Sequence, residues 1–382
     1  MRLAASDADR AARDLVSTWM REAGLEVAVD RIGNIFGVLQ RDNEAASPIM
    51  IGSHVDTVAD AGIYDGSYGV LAGLEVIETL RDRGYTRSPI VVAAFTNEEG
   101  ARYAPDMMGS LVHAGGFPLE DALDSAGNDG SVLGEELARI GYAGAMEPGT
   151  IRPRCYIELH IEQGPILERA GIAIGAVEKL QGIVWQRITI DGVANHAGTT
   201  PIAMRHDAGL AAARITTFLR DRLVANNSAS VATAGTIRIE PNIINIIPSR
   251  AVITVDLRDP DDARLREMER ALAEYVAEIA DTDGVSISTE PLVRFEPVTF
   301  DPGLVAAIED AARERQLSSR RMISGAGHDA QMMARICPAA MIFVPSRGGI
   351  SHSPLEFTAA SDLANGANVL LDVALQLDRA KS

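Results

Sequence analysis

Three imidazoles and a group of carboxylates stand where this chain's apolar runs give way to polar turns. Gly52-Ser53-His54-Val55-Asp56-Thr57 follows the apolar run at 49–51 and offers an imidazole with a carboxylate two residues on. At that spacing Asp56 can orient a metal-binding His54 from behind, although His-x-Asp alone also describes a polar loop. Tyr64-Asp65-Gly66 puts a carboxylate in a glycine-flanked turn, where backbone can approach an ion closely; Asp-Gly is equally an ordinary turn. Glu98 and Glu99 are adjacent after the apolar run at 90–95, and neighbouring carboxylates at a strand end repel unless a cation or proton intervenes. Their side chains can diverge and do two jobs. His160 lies between Leu159 and Ile161, as core histidines also do, and His352 lies in the loop Gly348-Gly349-Ile350-Ser351-His352-Ser353-Pro354, as surface histidines also do. Taken together, three imidazoles and two carboxylates can hold two borderline cations if one carboxylate bridges them, the ions of such hydrolase sites lying about 3.5–4 Å apart. Asp65 is the bridging candidate, and imidazole with carboxylate suits Zn, Mn, Co or Ni.

The elements that must carry these residues alternate. The spacing of Ala11, Leu15, Trp19 and Met20 predicts an amphipathic helix over 8–23, ending near Gly24. A strand at 49–51, a helix over 68–80 with Val70, Leu71, Leu74 and Ile77 on one side, and a strand at 90–95 follow. Strands at 155–161 and 341–344 complete the pattern of a largely parallel sheet covered by helices. In such sheets ligands bind beyond the carboxyl ends of the strands, where His54, Glu98, Glu99, His160 and His352 all fall. The middle reads differently. Strands at 184–190, 231–239 and 251–257 alternate, as in an antiparallel sheet with one wet face, and are separated by helices near 206–224 and 261–280. The expected fold is α/β: a mixed, largely parallel catalytic sheet with helices on both faces (1–179 and 297–382), plus an inserted smaller α+β domain over 180–296.

Composition narrows the function. At 382 residues the chain exceeds one small core and fits two domains. Its apolar runs are far shorter than the roughly 20 residues a bilayer demands, so no membrane association is expected. The N-terminal MRLAASDADRAARD is charged throughout and lacks the apolar centre of a secretory signal. Cys155 and Cys337 are the only cysteines, which excludes a disulfide framework and a zinc ribbon; a reduced, cytoplasmic location is expected. A net charge of −18 would repel nucleic-acid phosphates, and 4% aromatic residues offer few stacking platforms.

The motifs Gly52–Thr57, Tyr64-Asp65-Gly66, Thr96-Asn97-Glu98-Glu99-Gly100, Glu158-Leu159-His160-Ile161-Glu162-Gln163-Gly164-Pro165, Asn195-His196-Ala197-Gly198-Thr199-Thr200-Pro201 and Ser351-His352-Ser353-Pro354 span most of the chain. In them the chain resembles the dinuclear-metal aminoacylase and carboxypeptidase superfamily, in its branch of N-carbamoyl-L-amino acid hydrolases, allantoate amidohydrolases and β-ureidopropionases. Peptidase relatives usually carry Asp or Glu where this chain has His160, which favours carbamoyl and ureido substrates that bear a carboxylate. The resemblance implies one divalent ion on His54, Asp65 and His160, a second on Asp65, Glu99 and His352, and Glu98 as general base with Asp56 beside it. It implies a lid and dimerisation role for the inserted domain, a homodimer, and a closing motion in which lid residues can come from the partner subunit.

By the same resemblance His196 donates to the developing oxyanion, Asn245 donates to the substrate and Arg258 clamps its carboxylate, with Gln163, Gly327 and His328 completing the contacts. Each has a plainer reading: a turn histidine, a turn asparagine, an ion pair of Arg258 with Asp256 on the same strand face, and a structural His328. The expected reaction is hydrolysis of N-carbamoyl-L-amino acids to the amino acid, CO2 and ammonia. Allantoate, β-ureidopropionate and ureidoglycolate are alternative substrates; an aminoacylase or dipeptidase, or a non-catalytic metal-binding homologue, are more distant alternatives.

Overall fold

The computed structural model of the protein describes residues 1–39, 47–84, 88–226 and 229–379. Two compact units emerge, Met1–Glu178 with Thr299–Ser382, and Lys179–Val298. In chain order the strands are β1 Glu26–Val29, β2 Ile35–Leu39, β3 Ile49–His54, β4 Ile90–Phe95, β5 Cys155–Ile161, β6 Ile174–Leu180, β7 Gly182–Asp191, β8 Val231–Glu240, β9 Arg250–Asp259, β10 Ser286–Phe295, β11 Val298–Thr299, β12 Ser319–Ser324 and β13 Ala339–Val344.

The large sheet runs β1-β2-β4-β3-β5-β13-β6-β11, with β12 paired to β6. Its centre is parallel: β3 pairs with β4 and β5, and β13 with β5. These four strands are buried at every position, as expected of strands covered on both faces. The outer pairs β1–β2, β2–β4 and β6–β13 are antiparallel, so the sheet is mixed. Register sets His54 beside Phe95 and His160 beside Phe343, which brings the carboxyl ends of the central strands to one edge.

The smaller unit is a separate antiparallel sheet, β10-β7-β9-β8, whose core packs on the helices Ala208–Asn226 and Asp262–Asp283. Edge strand β10 was not expected from the sequence. Pro291 interrupts its alternation, and the register shifts between Pro291 and Val293, a substitution an edge strand tolerates because no ladder bond is lost on its open side.

Helix Asp7–Glu22 is present where expected and Met20 is buried as expected, but the rest of its inward face differs. Leu15 and Trp19 are 47% and 38% exposed, while Asp9, Arg13, Val16 and Met20 point inward. A fully buried ion pair, Arg13 Nε to Asp9 Oδ2 at 2.7 Å, takes the place assigned to apolar side chains. Leu71, expected on the inward side of helix Ser67–Asp82, is likewise 41% exposed.

His113 is a second buried polar group the sequence did not single out. Its Nε2–H donates to the Ile151 carbonyl at 3.0 Å and its Nδ1 accepts from the Gly149 N–H at 3.3 Å, a pair of bonds only the neutral ring can make. Burial pushes its pKa down from 6.5 to about 4. The unfolded chain therefore takes up this proton between about pH 6.5 and 4 while the folded protein does not. Stability from this site is complete above pH 6.5 and falls with pH across that window, by about 3 kcal/mol in all. Urea midpoints measured from pH 7 to 4.5 should fall more steeply in the parent than in His113→Phe; parallel slopes would dismiss the assignment.

Candidate metal centre

Four parallel strands present their ends to one another, and the turns that follow carry the polar residues. Gly66 begins helix Ser67–Asp82 at φ 63°, and a Cβ there would meet the His54 ring at 2.4 Å. Only glycine permits both the left-handed turn and this approach. Asp65, one residue earlier, is thereby brought against the imidazoles of β3 and β5.

Asp65 Oδ1 lies 3.5 Å from His54 Nε2 and 3.2 Å from His160 Nε2, and its Oδ2 lies 3.4 Å from His352 Nε2. Glu99 Oε2 lies 3.2 Å from the same His352 nitrogen. Two ligand groups result, His54–Asp65–His160 and Asp65–Glu99–His352, sharing Asp65. Glu98 belongs to neither; its Oε2 is 3.4 Å from His54 Nε2.

The donor set fits cations for a reason visible in the hydrogen bonds. His54 Nδ1 faces the Asp56 carbonyl at 3.0 Å and His160 Nδ1 faces the Ile161 carbonyl at 2.8 Å. A carbonyl only accepts, so both Nδ1 atoms carry hydrogen and, in the neutral rings, both Nε2 atoms offer lone pairs: that of His54 faces Asp65 and Glu98 oxygens, and that of His160 faces Asp65 Oδ1 and also accepts the Gly66 N–H at 3.1 Å. At His54, acceptor facing acceptor in a buried site calls for an electrophile between them. Burial opposes charge on His54, yet Glu98, Asp65 and Asp56 hold it well above its ordinary range. Burial also pushes Asp65 up, but hydrogen bonds from His160, His352 and His54 bring it well below. Burial, reinforced by the charges of Asp329, Glu99 and Asp65 and opposed by His54, pushes Glu98 well above the usual carboxylate range.

Asp56 does not orient His54 through its carboxylate, which stands 4.0 Å from Nδ1; its backbone carbonyl does that. The carboxylate instead accepts the N–H groups of Glu98 at 3.2 Å and Glu99 at 3.3 Å. Asp56 thus fixes the turn that makes the two glutamates diverge. Further supports of this turn were absent from the sequence reading: Arg13 donates to Thr96 Oγ1, Asn34 Oδ1 accepts the Thr96 N–H, and Asn97 donates to the Tyr103 and Pro105 carbonyls. No spacing rule announces them, because their partners lie on other elements.

Gln163 joins the same cluster, its Nε2 donating to Asp65 Oδ2 at 2.8 Å, while its buried Oε1 has no partner among the described residues. His328 is buried against His160 with ring centroids 4.5 Å apart, and burial holds it well below its ordinary pKa. Its Nε2 also lacks a partner among the described residues; Gly327 precedes it in a half-buried turn. His196, Asn245 and Arg258 belong to the smaller unit. There His196 and Asn245 are neighbours, the Ala197 N–H donating to the Asn245 carbonyl. Asn245 stands in an exposed turn, with Ile244 beside it fully in solvent, as the plainer reading of a turn asparagine has it. His196 Nδ1 accepts the N–H groups of Gly198 and Thr199, so its neutral ring carries hydrogen on Nε2. Arg258 lies on Asp256, Nη2 to Oδ2 at 2.7 Å, so the ion pair of the plainer reading forms.

The family model of peptidase family M20/M25/M40 matches residues 50–376. This chain belongs to that family. Within it, the M20-family chain falls in the branch of N-carbamoyl-L-amino acid and allantoate amidohydrolases. It is 42% identical to the N-carbamoyl-L-amino-acid amidohydrolase of Rhizobium meliloti, over 97% of this chain and 89% of that protein. It is 36% identical to the allantoate amidohydrolase of Bacillus subtilis, over 95% and 89%. The crystal structure of a hydantoinase/carbamoylase-family amidase from Burkholderia vietnamiensis matches it with a TM-score of 0.91 and 45% identity, over 98% of this chain and 91% of that one. Among the described residues of this M20 member, no helix is long and apolar enough to cross a membrane.

Proposed function

We propose that the protein hydrolyses the carbamoyl C–N bond of N-carbamoyl-L-amino acids, releasing the L-amino acid, CO2 and ammonia, with two divalent ions. The observation that carries this is the pair of ligand groups sharing Asp65, with imidazole lone pairs aimed at carboxylates and Glu98 beside them but in neither group. The likeness to carbamoyl-amino-acid amidohydrolases supports the choice of substrate. His54, Asp65 and His160 would hold one ion; Asp65, Glu99 and His352 the other. Bound there, two such ions supply Lewis acidity toward water and toward a carbonyl oxygen.

The chain's own residues supply the rest. Glu98 takes a proton from the attacking water on its carboxylate and returns it to the leaving nitrogen. His196 presents Nε2–H as a donor to the developing oxyanion, with its ring fixed by two backbone N–H groups. Gln163, Asn245, Gly327 and His328 contact the substrate. Because His196, Asn245 and Arg258 must act on the substrate that the metal ligands hold, the reading includes domain closure and a homodimer.

Arg258 binds the substrate carboxylate, its guanidinium pre-oriented by Asp256. Arg258→Ala should raise KM by about one to two decades, the equivalent of a charge-assisted bond worth roughly 1.5–3 kcal/mol, with kcat less affected. A change in thermal midpoint alone would leave Arg258 as a partner of Asp256 and nothing more.

The test of the whole reading is a substrate panel on zinc-reconstituted protein: N-carbamoyl-L-methionine, its D-enantiomer, allantoate, β-ureidopropionate and N-acetyl-L-methionine, with ammonia and free amino acid followed and sedimentation run alongside. Release from the L-carbamoyl compound by a dimer, abolished by chelator, is expected. Release from allantoate alone would reassign the substrate, acetyl cleavage alone would reassign the class, and an active monomer would remove the dimer.

A further inference from the structure

Glu356 has no role in the reading above, yet it ties together the two loops that carry Asp65 and His352. Its side chain is buried, and Oε1 accepts the backbone N–H groups of Tyr64 at 2.9 Å and Asp65 at 3.2 Å. Oε2 lies 2.9 Å from the Ser351 hydroxyl, whose single hydrogen is shared with Asp65 Oδ2 at 3.2 Å. One carboxylate thus gathers donors from residues 64–65 and from the residue before His352. The packing is made for it: a Cβ on Gly62 would fall 2.2 Å from Glu356 Oε1.

The two ligand groups depend on this clamp unequally. His54 and His160 stand on β3 and β5, whose backbones are held by the parallel ladder. His352 has no such support. It sits in a loop at φ 52°, with its side chain 51% exposed. The loop's base is closed by Arg347 N–H to the Phe357 carbonyl and Thr358 Oγ1 to the Pro345 carbonyl, which leaves Glu356 to fix the tip against Asp65. A left-handed, half-exposed residue keeps one orientation only when its surroundings over-determine it.

We propose that Glu356 is a positioning residue for the Asp65–Glu99–His352 group, so that its loss weakens that cation site more than the one on His54, Asp65 and His160. The inference rests on the two-cation reading. Glutamine at 356 keeps the size but offers one accepting oxygen in place of two, setting an NH2 either against the Tyr64 and Asp65 N–H groups or against Ser351.

The test titrates Zn2+ into metal-free protein against a competing chromogenic chelator, for the parent, Glu356→Gln and Gly62→Ala. The last displaces the Glu356 carboxylate by bulk while leaving every polar group in place, and decides the matter if Glu356→Gln does not fold. The parent should bind two zinc ions per chain. Each folded variant should bind one ion roughly 10–100-fold more weakly than the parent, as for lost partners of metal ligands elsewhere, and lose distinctly less affinity for the other. Unchanged affinity at both sites, or equal weakening of both, overturns the role given to Glu356. A parent that binds fewer than two zinc ions overturns the two-cation reading itself, and this inference with it.

Discussion

Glu98→Gln should lower kcat by roughly two to four decades, the usual contribution of a positioned proton-transfer group, while the fold and the zinc content stay those of the parent. The substitution is isosteric and leaves the Glu98 N–H bond to Asp56 untouched, so the turn that holds Glu99 persists. It removes only the ability to take a proton at a position 3.4 Å from His54 Nε2 and outside both ligand groups. Steady-state rates on N-carbamoyl-L-methionine together with metal analysis decide the point. A variant that loses zinc would make Glu98 a ligand, and one with parental kcat would place the base elsewhere.

Arg13→Ala should destabilise the protein by about 3–5 kcal/mol, the usual effect of leaving one partner of a buried ion pair uncompensated. Arg13 is fully buried; besides Asp9 it donates to the Gly33 carbonyl at 2.7 Å and to Thr96 Oγ1 at 3.2 Å. Its removal strands the Asp9 carboxylate, whose Oδ1 already lacks a partner among the described residues. The double variant Asp9→Leu/Arg13→Met should regain most of the loss, because taking both charges away also removes their desolvation cost. Urea midpoints of the three proteins provide the measurement. A double variant as unstable as the single one would show that the bonds to Gly33 and Thr96, and not the uncompensated charge, account for the loss.

The same residues show where reading the sequence reached its limit. Helix Asp7–Glu22 was legible from its periodicity, but most of its inward face was not. Hydrophobic spacing assigns the interior to Ala11, Leu15, Trp19 and Met20; of these Met20 is buried, and beside it the interior is taken by a charged pair, Asp9 with Arg13, that is neutralised within itself. Asp56 was legible as part of the His54 motif. Its partners were not, since the Glu98 and Glu99 N–H groups come from β4's turn, more than forty residues along. Strand β10 was hidden by Pro291 breaking the period of two. Glu356 gave no signal, for two of its donors, the Tyr64 and Asp65 N–H groups, lie some 290 residues earlier, and Ser351 gives no spacing cue by itself.

What the sequence determined by itself was the placement of chemistry on elements. Apolar runs that empty into polar segments bearing His54, Glu98 with Glu99, and His352, and a further run that itself holds His160, dictate buried parallel strands with polar carboxyl ends, and that follows from local pattern and burial alone. Tertiary structure decided which of those polar groups face one another. The register of β3 with β4 and of β5 with β13 brings His54, His160 and Glu98 to one edge, and the turn at Gly66 swings Asp65 between the imidazoles. Distances of 3–4 Å between residues separated by up to some three hundred positions are set by sheet pairing and loop closure, which no local spacing in the chain encodes.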